Sequence, residues 1–102
     1  MVKRCEVYWV NLDPTQGSEI RKTSPGLVVS PDDMNQVLPR VIIAPLTSAG
    51  QPLGCRPEVR FKGKRARILL DQVRAVDRKR LGKRVGVIPL KKWHSVLLEM
   101  LA

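Results

Sequence analysis

The sequence of 102 residues contains few aromatic residues and few of the side chains that form metal or disulfide sites. Two Trp, one Tyr and one Phe leave Val, Ile and Leu to build the core, which favours a small β-rich domain or an oligomer. Two cysteines, Cys5 and Cys55, with a single histidine make neither a disulfide framework nor, easily, a four-ligand zinc site. We therefore expect neither a metal nor a cofactor.

Long apolar runs are also missing. No stretch approaches the length of a membrane-spanning helix, and the segment MVKRCEVYW lacks the apolar core of a signal peptide. These absences predict a cytoplasmic protein with no membrane partner. The length and the lack of repeats or linkers predict one domain over residues 1–102.

Acidic residues are scarce in one segment. Residues 56–84 contain 12 Lys and Arg against 3 acidic residues, whereas residues 1–55 balance at 5 against 5. Such a concentrated positive charge attracts phosphates, so it favours a nucleic acid or an acidic protein as the partner over a neutral metabolite. A solvated basic face is the plainer alternative.

Seven short apolar or alternating runs predict strands separated by turns. They cover residues 5–12, 26–30, 41–44, 57–61, 66–70, 72–76 and 85–88. Pro45 is expected to end the third strand, and Gly63 with Lys64 to form the turn after the fourth. Sheets this small must close or cover their edges. We expect a mainly β fold, a strongly bent SH3-like barrel.

Two helices complete the prediction. Ser30 is a suitable N-cap, with Pro31 at the first helical position of a short internal helix. Pro89 opens a C-terminal helix. Its expected apolar stripe consists of Leu90, Trp93, His94, Leu97, Leu98 and Leu101. We assign the single histidine, His94, a structural role because it lies beside Trp93 on a packing helix.

The polar segment 11–25 is the most promising functional stretch. It is too long for an ordinary connection in a small domain, and loops of this length are usually functional or disordered. It offers a mixture of donors, acceptors and charges suited to a polar ligand. These candidates are Gln16, Ser18, Glu19, Arg21, Lys22, Thr23 and Ser24.

Four short motifs, taken in order, resemble the MazF/PemK toxins of bacterial toxin–antitoxin systems. They are EVYWVNLDPTQGSE at residues 6–19, PGLVVS at 25–30, PLTS at 45–48 and LLDQVRAVD at 69–77. The resemblance covers about residues 4–101. It implies an SH3-like barrel of the MazF/PemK/CcdB type that forms a homodimer. It also implies metal-independent cleavage of single-stranded RNA, and inhibition by a cognate antitoxin whose acidic, flexible tail covers the RNA-binding face.

The resemblance also implies particular catalytic residues. The family assigns catalysis to the threonine of the P-x-T element, here Thr47, and to an arginine directly before the proline of the second strand. This chain has Ser24 at that position, so a charge that could stabilise the transition state is absent. Arg21 could substitute for it, and Glu19 could accept a proton.

Further residues of these motifs are candidates for contacting RNA. They are Gln16, Ser18, Lys22, Ser48, Asp71, Gln72 and Arg74. Asp71 could orient Arg74 or a substrate hydroxyl, although a carboxylate among arginines is usually an ion-pair partner. Cys5 is a second departure from the family, because relatives commonly have glycine there.

Two other functions remain open on the sequence alone. A barrel that binds nucleic acid without cutting it would use the same basic segment to hold phosphates. A toxin of the same fold could instead poison a topoisomerase. The motifs around residues 13–19 and 45–48 favour the ribonuclease.

Overall fold

The computed structural model describes residues 1–11, 23–49 and 52–102. Five candidates in the polar segment, Gln16, Ser18, Glu19, Arg21 and Lys22, lie outside these ranges. The strands are β1 (Glu6–Asn11), β2 (Thr23–Val28), β3 (Arg40–Thr47), β4 (Glu58–Phe61), β5 (Lys64–Ile68), β6 (Arg74–Asp77) and β7 (Leu81–Val87). The helices are α1 (Asp32–Val37) and α2 (His94–Leu101), and single 3-10 turns cover Leu70–Gln72, Arg78–Arg80 and Leu90–Lys92.

The described strands form one curled antiparallel sheet in the order β4-β5-β3-β2-β1-β7. Strand β6 pairs with the first half of β3, and β5 pairs with its last two residues. Strand β3 therefore pairs with two strands, β6 and β5, along the same edge, and the sheet bends strongly there. The predicted mainly β fold with a short internal helix and a C-terminal helix is confirmed.

Alternation along β1 divides the buried side chains between the two faces of the sheet. Val7, opposite Leu27 of β2, belongs to the larger core cluster, which Trp93 completes from the C-terminal segment. Tyr8 and Val10 point to the other face and join a smaller cluster. Because the side-chain period of a strand is two residues, the register of β1 and β2 decides which residues remain for the surface.

The turn between β4 and β5 lies one residue earlier than predicted. Lys62 and Gly63, with φ of 53° and 77°, form a two-residue hairpin loop, and Phe61 pairs with Lys64. Positive φ at both loop residues is the signature of a type I′ turn, whose twist matches that of the strands. Glycine therefore takes the second position of this turn, and Lys64 opens β5.

Two expectations about proline and serine are wrong. Pro45 lies inside β3, and its carbonyl accepts from the Leu69 amide, 2.8 Å away, so the strand continues past it. Ser30 does not cap α1, whose N-cap is Pro31. The Ser30 hydroxyl instead donates to the Asn35 side chain and accepts from the Ile42 amide. This buried network joins α1 to β3.

The apolar stripe predicted for the C-terminal helix is buried only at its beginning. Trp93 is fully buried and Leu97 packs on the same cluster, but Leu98 and Leu101 are 53% and 72% exposed. A 3-10 turn at Leu90–Lys92 interrupts the predicted helix, and α2 starts only at His94. Among the helices described, none has the length and apolar character needed to cross a bilayer.

Candidate functional site

A groove of about 560 Å³ lies where the β4–β5 hairpin faces the end of β3 and the β1–β2 pair. Its walls are Trp9, Pro25, Leu46, Thr47, Ser48, Phe61, Lys62, Lys64, Arg65, Ala66 and Val85. The floor is apolar, whereas the rim carries two hydroxyls and three cations. Such a combination accommodates a flat apolar group next to an anion, as in a nucleotide.

Thr47, to which the resemblance assigns catalysis, lies at the last position of β3 and lines this groove. Its Oγ1 accepts a hydrogen bond of 3.2 Å from the Ala49 amide. That bond occupies a lone pair and leaves the hydroxyl hydrogen available to donate. The exposed Ser48 follows it on the rim. The structure thus holds one hydroxyl in place and puts a second beside it.

Ser24 lies within β2, where a loop was predicted, and is half-buried opposite Val10 of β1. The β2–β3 register pairs Gly26 with Pro45. This is the last pair of the two strands at that end, so Ser24 and Thr47 lie beyond it, each two residues further along. Because directly opposed residues point to the same face of a sheet, Ser24 lies on the face of Val10, opposite that of Trp9 and Pro25. Ser24 is not among the residues that line the groove, although Pro25 beside it is.

The cationic rim comes from the hairpin. Lys62 sits in the turn, and Lys64 and Arg65 begin β5. Among residues 1–11, 23–49 and 52–102, neither lysine has a carboxylate partner within 4.0 Å. Arg65 is 3.9 Å from Glu58, which is closer to Arg67, at 3.2 Å. The rim therefore retains most of its positive charge.

Asp71, Gln72 and Arg74 do not line the groove. Asp71 accepts two hydrogen bonds from Arg56, at 3.0 and 2.9 Å, and not from Arg74 as the sequence suggested. The hydrogen bond from Arg56 holds the pKa of Asp71 below its usual value. Arg74 pairs with Ile43, four residues before Thr47, or about 13 Å along a strand. These three residues therefore lie outside the groove.

Trp9 is a site residue that the sequence interpretation missed, as are Lys62 and Lys64 of the rim. It is 42% exposed, whereas Trp93 is fully buried, and its ring forms a wall of the groove beside Pro25, its partner on β2. Tryptophan is enriched at interfaces, where one part of the ring meets apolar groups and the rest meets water. Alternation along a strand puts Trp9 on the same face as the polar Asn11 and on the opposite face from the buried Val10. This pattern in the sequence indicated a tryptophan that faces solvent.

The described residues do not group three or more His, Cys, Asp or Glu side chains as metal ligands would be grouped. His94 is half-buried and packs edge-on against Trp93, with ring centres 5.9 Å apart. The groove at Thr47 does not include it. This placement supports the structural role predicted for the histidine.

Comparison with known proteins identifies relatives over nearly the whole chain. A family model described as PemK-like, MazF-like toxin of type II toxin-antitoxin system matches residues 3–100. Endoribonuclease MazF of Staphylococcus epidermidis is 32% identical, with 94% of this chain and 85% of that protein aligned.

Solved structures share the fold. MazF from Deinococcus radiodurans superimposes with a TM-score of 0.79 at 25% identity, covering 98% of this chain and 96% of that one. A mycobacterial endoribonuclease in complex with its cognate antitoxin gives a TM-score of 0.83 at 18% identity, covering 99% and 95%. The curled sheet and its two helices are therefore common to these proteins.

Proposed function

The chain belongs to the PemK-like, MazF-like toxins of type II toxin–antitoxin systems, a family of endoribonucleases, and we propose that it cleaves single-stranded RNA without a metal ion in the groove at Thr47. The observation that carries this proposal is the position of Thr47 in a groove whose lining combines apolar side chains with three cations. Position 24, the other position that the resemblance assigns to catalysis, lies on the adjacent strand β2, next to the lining residue Pro25.

The proposed reaction is an internal transfer. The ribose 2′-oxygen attacks the adjacent phosphorus, forming a new P–O2′ bond, while the P–O5′ bond breaks. The proton of the 2′-hydroxyl goes to a base, and the departing 5′-oxygen takes up a proton. The products are a cyclic phosphate and a free 5′-hydroxyl. This chemistry needs a proton acceptor, a proton donor and positive charge near the equatorial oxygens.

The described residues supply part of this set. The Thr47 hydroxyl, fixed by the Ala49 amide, donates to a phosphate oxygen, and Lys62 and Lys64 supply positive charge from the rim. Ser24 offers one hydrogen bond but no charge. Glu19 is the proposed proton acceptor and Arg21 the proposed substitute cation, both in the polar segment. The chain is therefore a weakened nuclease that still binds RNA.

We further propose that a cognate acidic antitoxin occupies the same groove. The mycobacterial and Deinococcus relatives were solved with antitoxins, and an acidic segment with apolar side chains complements an apolar floor rimmed by lysines. Bound RNA and bound antitoxin should exclude each other. The active form is a homodimer that meets its RNA substrate in the cytoplasm.

A defined single-stranded RNA incubated with the protein, with and without a chelator, tests the proposal. We expect slow cleavage that the chelator leaves unchanged and that Thr47→Ala abolishes. Cleavage that stops with chelator would contradict the metal-free reaction. An RNA that is neither bound nor cut would point to the topoisomerase-poisoning alternative.

A non-catalytic RNA-binding protein is the second candidate. The neutral Ser24 favours it, because the same groove with an uncharged residue at this position can hold a phosphate without stabilising its transition state. Retention of RNA with no product, even at high enzyme concentration and long incubation, would establish this function instead.

A further inference from the structure

A second groove, of about 470 Å³, lies on the other side of Trp9. It is lined by Trp9, Asn11, Thr23, Asp77, Lys79, Arg80, Leu81 and Gly82. Asn11 and Thr23 are cross-strand partners two residues further along β1 and β2 than the pair Trp9–Pro25, and they lie on the same sheet face. The two grooves are therefore consecutive on one surface, and the indole of Trp9 separates them.

The electrostatics of the second groove assign different positions to a phosphate and a base. Lys79 and Arg80 stand together in the 3-10 turn Arg78–Arg80. In the described part of the chain, neither has a carboxylate within 4.0 Å. Asp77 accepts from the Lys79 amide at 2.9 Å, so one carboxylate oxygen is engaged and the other can accept. A phosphate would be repelled at Asp77 and attracted by the two cations.

Gly82 keeps this groove open. A β-carbon there would stand 3.4 Å from the Trp9 carbonyl oxygen and 3.6 Å from the Trp9 Cβ, both ordinary contacts. A side chain at position 82 is thus sterically allowed at the backbone, but it would occupy space beside the indole. This makes Gly82 a position where the groove can be filled without changing its charge.

We propose that the second groove is a nucleotide subsite for the RNA strand that crosses the first groove. This inference rests on the proposed RNA-binding function. One base stacks on the exposed indole of Trp9, the next phosphate lies at Lys79 and Arg80, and the following base has an amino group within reach of Asp77. Carboxylates accept hydrogen bonds from such exocyclic amines. With this subsite, the stretch of RNA that contacts the protein extends beyond the scissile phosphate.

Single-stranded DNA oligomers, which lack the 2′-hydroxyl and so cannot be cut by the proposed reaction, test the subsite apart from catalysis. Affinity is measured by anisotropy for oligomers of increasing length and at several salt concentrations. For the unaltered chain, we expect affinity to rise with length until the second groove is filled. We also expect binding to quench the emission of Trp9, since Trp93 is buried and serves as a constant background.

Three variants then locate the effect. Lys79→Ala with Arg80→Ala should lower the affinity for long oligomers roughly tenfold and reduce the salt slope by about 1 to 2, with no effect on the shortest. Gly82→Leu should also remove the length dependence. Trp9→Leu should abolish the quenching and weaken binding roughly tenfold. Lys91→Ala with Lys92→Ala, which removes the same charge outside both grooves, is the matched control.

Several outcomes overturn the subsite. They are equal losses in the Lys91 and Lys92 control, affinity that does not depend on oligomer length, or an emission that oligomers leave unchanged. An acidic peptide whose binding needs Lys79 and Arg80, when oligomer binding does not, would assign the groove to a protein partner instead. If oligomers bind as expected but RNA is never cut, the subsite stands and the proposed nuclease activity fails.

Discussion

The aromatic ring of Phe61 in β4 lies directly over Gly86 in β7, so closely that a β-carbon at position 86 would stand 2.5 Å from Cε1 of the ring. These two strands are the ends of the sheet path β4-β5-β3-β2-β1-β7. The contact therefore brings the two ends of the curled sheet together through a side chain. Phe61 and the neighbouring Val85 also line the first groove, so the same contact shapes the candidate site.

Gly86→Ala is expected to destabilise the protein by about 1–3 kcal/mol, the usual cost of forcing an extra methyl group into a packed site. Urea unfolding measures this cost. Combining the change with Phe61→Leu should relieve most of the added penalty, because the smaller side chain leaves room for the methyl. Fully additive losses in the double variant would show that the Phe61–Gly86 contact is not the cause.

Cys5→Gly is expected to be more stable than Cys5→Ala by about 1–2 kcal/mol, because Cys5 has a φ of 76°, which costs an L-residue about that much and glycine almost nothing. Backbone bonds from the Cys5 amide to Val28 and from the Ile88 amide to the Cys5 carbonyl hold this conformation. Both variants lose the half-buried thiol, so comparing their thermal midpoints isolates the backbone term. Equal midpoints would contradict this explanation.

The stability of the protein should fall at both ends of the pH scale. Burial raises the pKa of Glu6, but hydrogen bonds from Tyr8, the Lys3 amide and Arg84 outweigh it and hold the pKa below its usual value. Burial and the bond to Glu6 raise the pKa of Tyr8 to about 12. The Glu6 contribution is thus complete above the unfolded pKa of about 4.3 and is lost on acidification. The Tyr8 contribution is complete below about 10 and is lost as the pH rises towards 12.

Urea midpoints measured across this range check both slopes. Glu6→Gln should flatten the acid side, and Tyr8→Phe should flatten the alkaline side. A variant that shifts the whole curve without changing its slope would indicate lost packing in place of a titration effect.

Ser24→Arg is expected to accelerate RNA cleavage by on the order of 100- to 1000-fold, since it adds a charged donor for the transition state on the strand adjacent to that of Thr47. Affinity should change little, because most phosphate contacts come from the basic segment. Single-turnover rates of the unaltered chain, Ser24→Arg and Ser24→Arg with Thr47→Ala provide the test. If the unaltered chain already cuts as fast as Ser24→Arg, position 24 does not have this role, and Arg21→Ala is the next variant.

The protein is expected to sediment as a homodimer at micromolar concentration. Several large apolar side chains are exposed on the described surface, including Val87 at 54%, Leu98 at 53% and Leu101 at 72%, and burying them against a second copy is favourable. Two protomers combine a formal charge of +20, twice the +10 of one chain. RNA binding should therefore weaken steeply with salt. A monomeric mass at this concentration would refute the dimer.

Local sequence features predicted much of the fold. β-branched and aromatic residues marked β1, and glycine near the β4–β5 turn marked a hairpin, because strand propensity and positive φ are properties of a few adjacent residues. The family motifs predicted the ribonuclease class and drew attention to Thr47 and Ser24. Two of the predictions that failed, at Ser30 and Pro45, concern residues whose hydrogen-bond partners lie elsewhere in the chain.

What the sequence determined by itself was therefore the strand-rich class, the family and the concentration of positive charge in residues 56–84. Only the tertiary structure decided that Ser24 and Thr47 lie at the same end of adjacent strands, that Asp71 is paired with Arg56, and that Trp9 divides two grooves. For the strand residues the physical reason is register. Which side chains face one another across a sheet depends on hydrogen bonds between strands far apart in the chain, and a shift of one residue would turn Ser24, Thr47 and Trp9 to the other face. Asp71 lies in a 3-10 turn, and its partner Arg56 is 15 residues away in the chain, so only the folded chain brings them together.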